Sequence, residues 1–128
     1  MEGMDSRKLA LTACKALSEK RGRDIVMLYV RERTALCDYF VIASAGSASQ
    51  IKAMGERVEE LVEKEMGIEP TRAEGVRDGR WGVIDYGDVI VHIFNDETRL
   101  FYHLERLWQG DGNLEKFDDE KNEFVPVK

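Results

Sequence analysis

Thiols and long apolar runs are scarce in this sequence and net positive charge is lacking, and each shortage closes off a class of function. There are two cysteines, Cys14 and Cys37, with no chelating spacing, so neither a disulfide scaffold nor a zinc site is expected. His92 and His103, the two histidines, fall on different predicted elements and add no metal ligand pair. No run approaches the ~18 apolar residues of a membrane span, and the N-terminal stretch lacks the basic start and apolar core of a signal peptide. A cytoplasmic protein with no membrane contact is the expectation. Lys and Arg number 19 against 25 Asp and Glu, a net charge of -6. That sign repels phosphate backbones and predicts little direct nucleic-acid binding, while favouring a basic protein partner.

What remains is a chain of 128 residues with 43% hydrophobic content, enough for one folded domain. Leu9, Ala13, Ala16 and Leu17 recur at helical spacing and predict a helix over 6–20, capped by Asp5 or Ser6 and ended by Gly22. Two short β-branched runs, 24–31 and 38–44, predict neighbouring antiparallel strands, because their connection is too short for a helical crossover. Ser47 with Gln50 forms a capping-box pattern ahead of Ile51, Met54, Val58, Leu61, Val62 and Met66, with Gly67 as a left-handed terminator. A weak strand at 68–76 contains Pro70 and so belongs at an edge or bulge. Strand, helix and strand in succession imply some parallel pairing. The fold class is α/β, a mixed, partly parallel sheet of about five strands with helices packed on it. Residues 1–110 form the domain; 111–128, with six acids against three lysines, read as a flexible acidic tail.

Residues 80–94 carry the most information. Two strand-like runs flank Tyr86-Gly87, which predicts a hairpin with Asp85 opposite Asp88 and Trp81 opposite His92. Alternation places Gly82, Ile84, Val89, Val91 and Ile93 on a purely apolar face. Opposed carboxylates disfavour a hairpin, so Asp85 and Asp88 either accept backbone N–H bonds at the turn or face a partner. Asn95 or Asp96 caps a last helix over 97–108, whose Leu100, Phe101, Leu104, Leu107 and Trp108 form a core-facing stripe. Tyr102 falls on the opposite, solvent side beside Arg99 and Arg106, as a surface residue or a binding anchor.

The run containing Trp81, Val83, Ile84, Asp85, Gly87, Asp88 and His92 to Phe94, followed by Arg99, Tyr102, Leu104, Glu105, Leu107 and Trp108, closely resembles the signature of the ribosomal silencing factor family, also called Iojap-like. Cys37 to Ile42, with Gly46, Ser47 and Gln50, match the same family, and the resemblance covers residues 5–110. It implies a non-enzymatic translational repressor with a nucleotidyltransferase-like fold and no cofactor. Such a factor binds the large ribosomal subunit through that subunit's fourteenth protein and sterically blocks association with the small subunit; homodimers are also known in the family. Carried over residue by residue, Trp81 and Tyr102 are the aromatic anchors, with Asp85, Asp88 and Glu105 as acids facing the partner. Tyr86 departs from the aliphatic residue that members often carry there.

Two other readings compete. Gly46-Ser47 opening a helix, with carboxylates downstream, fits a nucleotidyltransferase-like enzyme, but Asp85 and Asp88 lie three apart across a turn with no third acid beside them. A generic interaction adaptor would share the anchors and differ only in its partner.

Overall fold

The computed structural model describes residues 3–76, 79–110, 112–118, 120–121 and 123–126. Along the chain come α1 (Gly3–Glu19), β1 (Arg23–Tyr29), β2 (Tyr39–Ala45), α2 (Ala48–Met66), β3 (Arg72–Glu74), β4 (Trp81–Asp85), β5 (Val89–Asn95), α3 (Asp96–Tyr102), α4 (Leu104–Trp108), β6 (Leu114–Asp118) and β7 (Glu123–Pro126). Their strands make one mixed sheet in the order β3-β4-β5-β2-β1-β6-β7.

β1 and β2 are antiparallel neighbours, as their short connection requires. Both read as continuous apolar runs because both faces are covered: Ile25 and Met27 enter one core, Val26 and Leu28 the other. β2 and β5 form the parallel pair, in register from Tyr39↔Val89 to Ala45↔Asn95. The chain crosses between them through α2, which packs on the first face together with α1. Its start is secured by the Ser47 hydroxyl, which accepts from the Gln50 N–H at 3.1 Å, and its end by Gly67 at φ 68°. Gln50 also donates to the carbonyls of Lys20 and Arg21, both at 3.0 Å, tying the end of α1 to the start of α2. The three-residue β3 sits at the sheet edge, just after Pro70.

Four expectations are corrected here. α1 begins at Gly3, so Asp5 and Ser6 lie inside the helix, and the Ser6 side chain is buried rather than capping. The left-handed residue after α1 is Arg21, at φ 63°. Gly22 serves close packing instead: a Cβ there would sit 2.7 Å from the Met54 methyl and 2.9 Å from the Leu17 carbonyl oxygen. The sheet has seven strands rather than about five. The extra two come from the segment read as a tail, because β6 pairs with the outer edge of β1 (Val26↔Lys116, Leu28↔Leu114) and β7 with β6. Phe117 enters the first core, and Arg7 grips the Glu115 carboxylate with two bonds of 2.9 and 3.0 Å. The acids on these outer strands face solvent or pair across the surface, which is why their sequence looks like a solvated tail.

Candidate partner-binding site

The hairpin of β4 and β5 sets the geometry. Its two-residue loop is Gly87-Asp88, closed by Tyr86 N–H donating to the Val89 carbonyl at 2.9 Å, with Gly87 at φ 88°. The register is therefore two residues away from the expected one: Trp81 pairs with Phe94 and Asp85 with Ile90. The cause is Tyr86, whose ring is only 7% exposed and packs in the first core, which makes it a strand residue. A slip of two preserves the alternation, so Gly82, Ile84, Val89, Val91 and Ile93 are all buried as predicted. The opposed carboxylates do not exist. Asp85 accepts from the Gly87 N–H at 2.8 Å and pairs with Arg72 at 3.5 Å, which is the turn role that its position allowed.

On the second face, Trp81 lies against Phe94 with ring centroids 4.9 Å apart and against Tyr102 at 4.7 Å. Its indole N–H donates to His92 Nδ1 at 3.1 Å. Phe101 stacks on Tyr102 at 5.1 Å. Beside them an open groove of about 870 Å³ runs between Arg80, Asn95, Thr98 and the three aromatic rings. The two aromatic residues implied by the family resemblance are thus brought into contact, whereas the hairpin acids are not. Asp85 is four residues along β4 from Trp81, about 13 Å at strand rise.

The helix after Asn95 differs from its prediction in a way that creates the surface. Asn95 caps α3 by accepting from the Thr98 N–H at 2.8 Å, but the helix breaks at His103, which adopts the left-handed conformation at φ 47°. After the break, α4 turns Leu104 and Trp108 onto the second core, where Trp108 meets Phe40 edge-to-face at 5.3 Å. The rest of the expected core stripe is left outside: Leu100, Phe101 and Leu107 are 76%, 73% and 69% exposed. Tyr102, which stacks on Phe101, is 48% exposed. Arg99 is turned inward rather than out beside Tyr102. It donates to Glu105 at 3.0 Å and to the Ser44 hydroxyl at 2.8 Å. Glu105 is consequently an internal partner of Arg99, corrected from its expected place among acids facing outward.

Burial holds the Cys37 thiol up at about 12, reinforced by Asp38, Asp85 and Asp88, so it stays protonated. Burial also pushes His92 down from 6.5 to about 4, with Asp85 opposing only in part. Among the described residues no group of three His, Cys, Asp or Glu side chains could hold a metal ion. Gly46-Ser47 follows the end of β2 that lies beside Asn95, while the Asp85–Asp88 turn lies near Tyr39, about 20 Å away along the strand. The residues of the nucleotidyltransferase reading are therefore at opposite ends of the sheet.

The low His92 value has a measurable consequence. The unfolded chain takes up a proton at His92 near pH 6.5 and the folded chain only near pH 4. Stability is thus full above pH 6.5 and declines as pH falls toward 4, by about 3 kcal/mol from this group. His92→Asn should flatten that part of the profile in urea titrations at successive pH values. An unchanged profile would show that His92 is not the titrating group.

Around α3 the mixed α/β domain presents aromatic and apolar side chains to solvent. The comparisons give the family. The chain belongs to the RsfS family, "Ribosomal silencing factor during starvation", whose model matches residues 3–126. It is 34% identical over 115 residues to the ribosomal silencing factor RsfS of Bacillus subtilis, covering 90% of this chain and 96% of that protein. The Halalkalibacterium halodurans RsfS is 35% identical over 108 residues, covering 84% and 91%. A crystal structure of a Chromobacterium violaceum protein superposes with a TM-score of 0.77 at 33% identity, covering 87% of this chain and 89% of that one.

Proposed function

We propose that this protein represses translation by docking on the large ribosomal subunit through the fourteenth protein of that subunit, so that the small subunit cannot join. The observation that carries the proposal is the aromatic surface of exposed Phe101 and Tyr102 with the half-buried Trp81 against them, in a chain that belongs to the ribosomal silencing factors. Tryptophan and tyrosine are the side chains that most often dominate binding energy, and here they sit together at the rim of an open groove. A mouse relative, 31% identical over 106 residues and spanned to 45% of its length, is named for mitochondrial assembly of the large ribosomal subunit, which supports the same subunit. The net charge of -6 favours a basic ribosomal protein over the RNA around it. No described helix is long and apolar enough to cross a membrane. The protein acts in the cytoplasm, needs no cofactor and performs no catalysis.

Within this reading the acids divide. Asp88, at the tip of the hairpin, forms no ion pair among the described residues and acts at the rim by steering, whereas Asp85 and Glu105 are held by Arg72 and Arg99. Asp88→Lys should slow association with large subunits about threefold at low salt and leave dissociation unchanged, since rim charges act on encounter. Stopped-flow traces with equal on-rates would remove Asp88 from the surface. The proposal itself is tested by sedimenting the protein with isolated subunits. Migration with the large and not the small subunit is expected, and its absence from the large-subunit fraction would overturn the reading.

A further inference from the structure

His92 occupies a position where an apolar side chain would be ordinary. It lies on the second face of the sheet between Ile90 and Phe94 along β5, in register with Ile42 of β2 and Val83 of β4. Its ring meets Phe40 edge-on at 5.2 Å and stacks with Phe94 at 6.1 Å. It is 7% exposed, and its Nε2 is buried with no hydrogen-bond partner among the described residues. An unmatched polar group in a core works against stability, so packing alone does not account for the imidazole. Among the described residues its one hydrogen bond is with Trp81, whose indole N–H donates to Nδ1 at 3.1 Å. Because burial keeps the ring neutral, with its proton on Nε2, Nδ1 remains an acceptor at physiological pH.

We infer that His92 is the positioning residue for Trp81: it fixes the indole between Phe94 and Tyr102, so that the anchor is already ordered when a partner arrives. The inference rests on the docking role of Trp81 proposed above. Trp81 lies on β4 at the edge of the open groove, where its contacts with Phe94 and Tyr102 alone leave its side-chain torsions some freedom. The hydrogen bond removes that freedom in the free protein, and an anchor held in its bound orientation loses less entropy on binding. Leucine at position 92 would fill the space and remove the buried orphan, but release the indole. Asparagine places its Oδ1 where the histidine Nδ1 stands and keeps the acceptor.

The test uses wild type, His92→Leu and His92→Asn in the full chain, with two independent readouts. The indole N–H of Trp81 is followed by ¹⁵N-edited NMR, with the Trp108 indole as internal reference and Trp81→Phe for assignment. In wild type and His92→Asn the Trp81 indole proton should be shifted downfield and exchange slowly with solvent. In His92→Leu exchange should accelerate about tenfold or more. Affinity for isolated large subunits should fall about tenfold in His92→Leu and stay within about twofold in His92→Asn, while urea unfolding at pH 7 shows His92→Leu to be no less stable than His92→Asn. A residue of merely structural importance would lose stability and binding together, without rescue by asparagine. Equal affinity of wild type and His92→Leu, or an indole unaffected by that change, would overturn the inference. Failure of wild type to bind subunits would instead strike at the docking proposal, leaving the indole signal to decide what His92 does.

Discussion

Trp81→Ala should lower affinity for isolated large ribosomal subunits by about a hundredfold or more. Truncating a central tryptophan anchor removes about 3 to 4 kcal/mol of binding energy, and each 1.4 kcal/mol is a factor of about ten. The ring contacts Phe94, His92 and Tyr102 at once, so its loss also leaves Tyr102 and Phe101 without the platform that orients them. Because Trp81 packs against the second core, the same change should cost the fold about 2 kcal/mol, and circular dichroism with urea titration must accompany the binding measurement. Tyr102→Ala separates the two effects. Tyr102 is 48% exposed, so its removal should weaken binding with little cost to the fold. Recovery of Trp81→Ala with large subunits at wild-type levels would place the docking surface elsewhere.

A second large effect is expected from Arg99→Ala, on stability. The side chains of Arg99 and Glu105 are only 11% and 17% exposed. Removing the guanidinium leaves the Glu105 carboxylate without its cation, with Oε2 already buried and without a hydrogen bond among the described residues, and strips the Ser44 hydroxyl of its donor. Breaking a buried pair from one side costs about 3 kcal/mol, which for a domain of this size lowers the melting temperature by about 10 °C. The loss should fall on the α3–α4 break, since this pair joins residues on either side of His103. Arg99→Ala with Glu105→Leu should recover part of the loss, because no unpaired charge then remains. A loss below about 0.5 kcal/mol in Arg99→Ala would class the pair with ordinary surface bridges.

The parts of this fold that were legible in the sequence are those fixed by strong local rules. Ser47, Gln50 and Gly67 bracket α2 because caps satisfy specific backbone groups. The apolar face of the hairpin was legible because side-chain parity survives a slip of two residues, whereas the register was not, since Gly87 serves either loop. The break at His103 was not legible: histidine tolerates positive φ better than most side chains, but its presence alone marks no break, and here it accompanies the packing of Leu104 and Trp108 on the second core. That one residue decides which leucines are core and which are surface, and turns Arg99 and Glu105 inward. β6 and β7 were missed because outer strands need few apolar residues, so Leu114 and Phe117 among acids read as a tail. Tyr102 is legible from its solvent-side position and Trp81 through the family resemblance, but only the fold brings their rings together.

The central claim, that the bound protein keeps the ribosomal subunits apart, is tested most directly by mixing purified small and large subunits at joining magnesium concentration and following light scattering. Preincubating the large subunits with saturating protein should hold scattering near the level of separate subunits, and Trp81→Ala should restore joining. Full assembly in the presence of saturating wild-type protein would contradict the account.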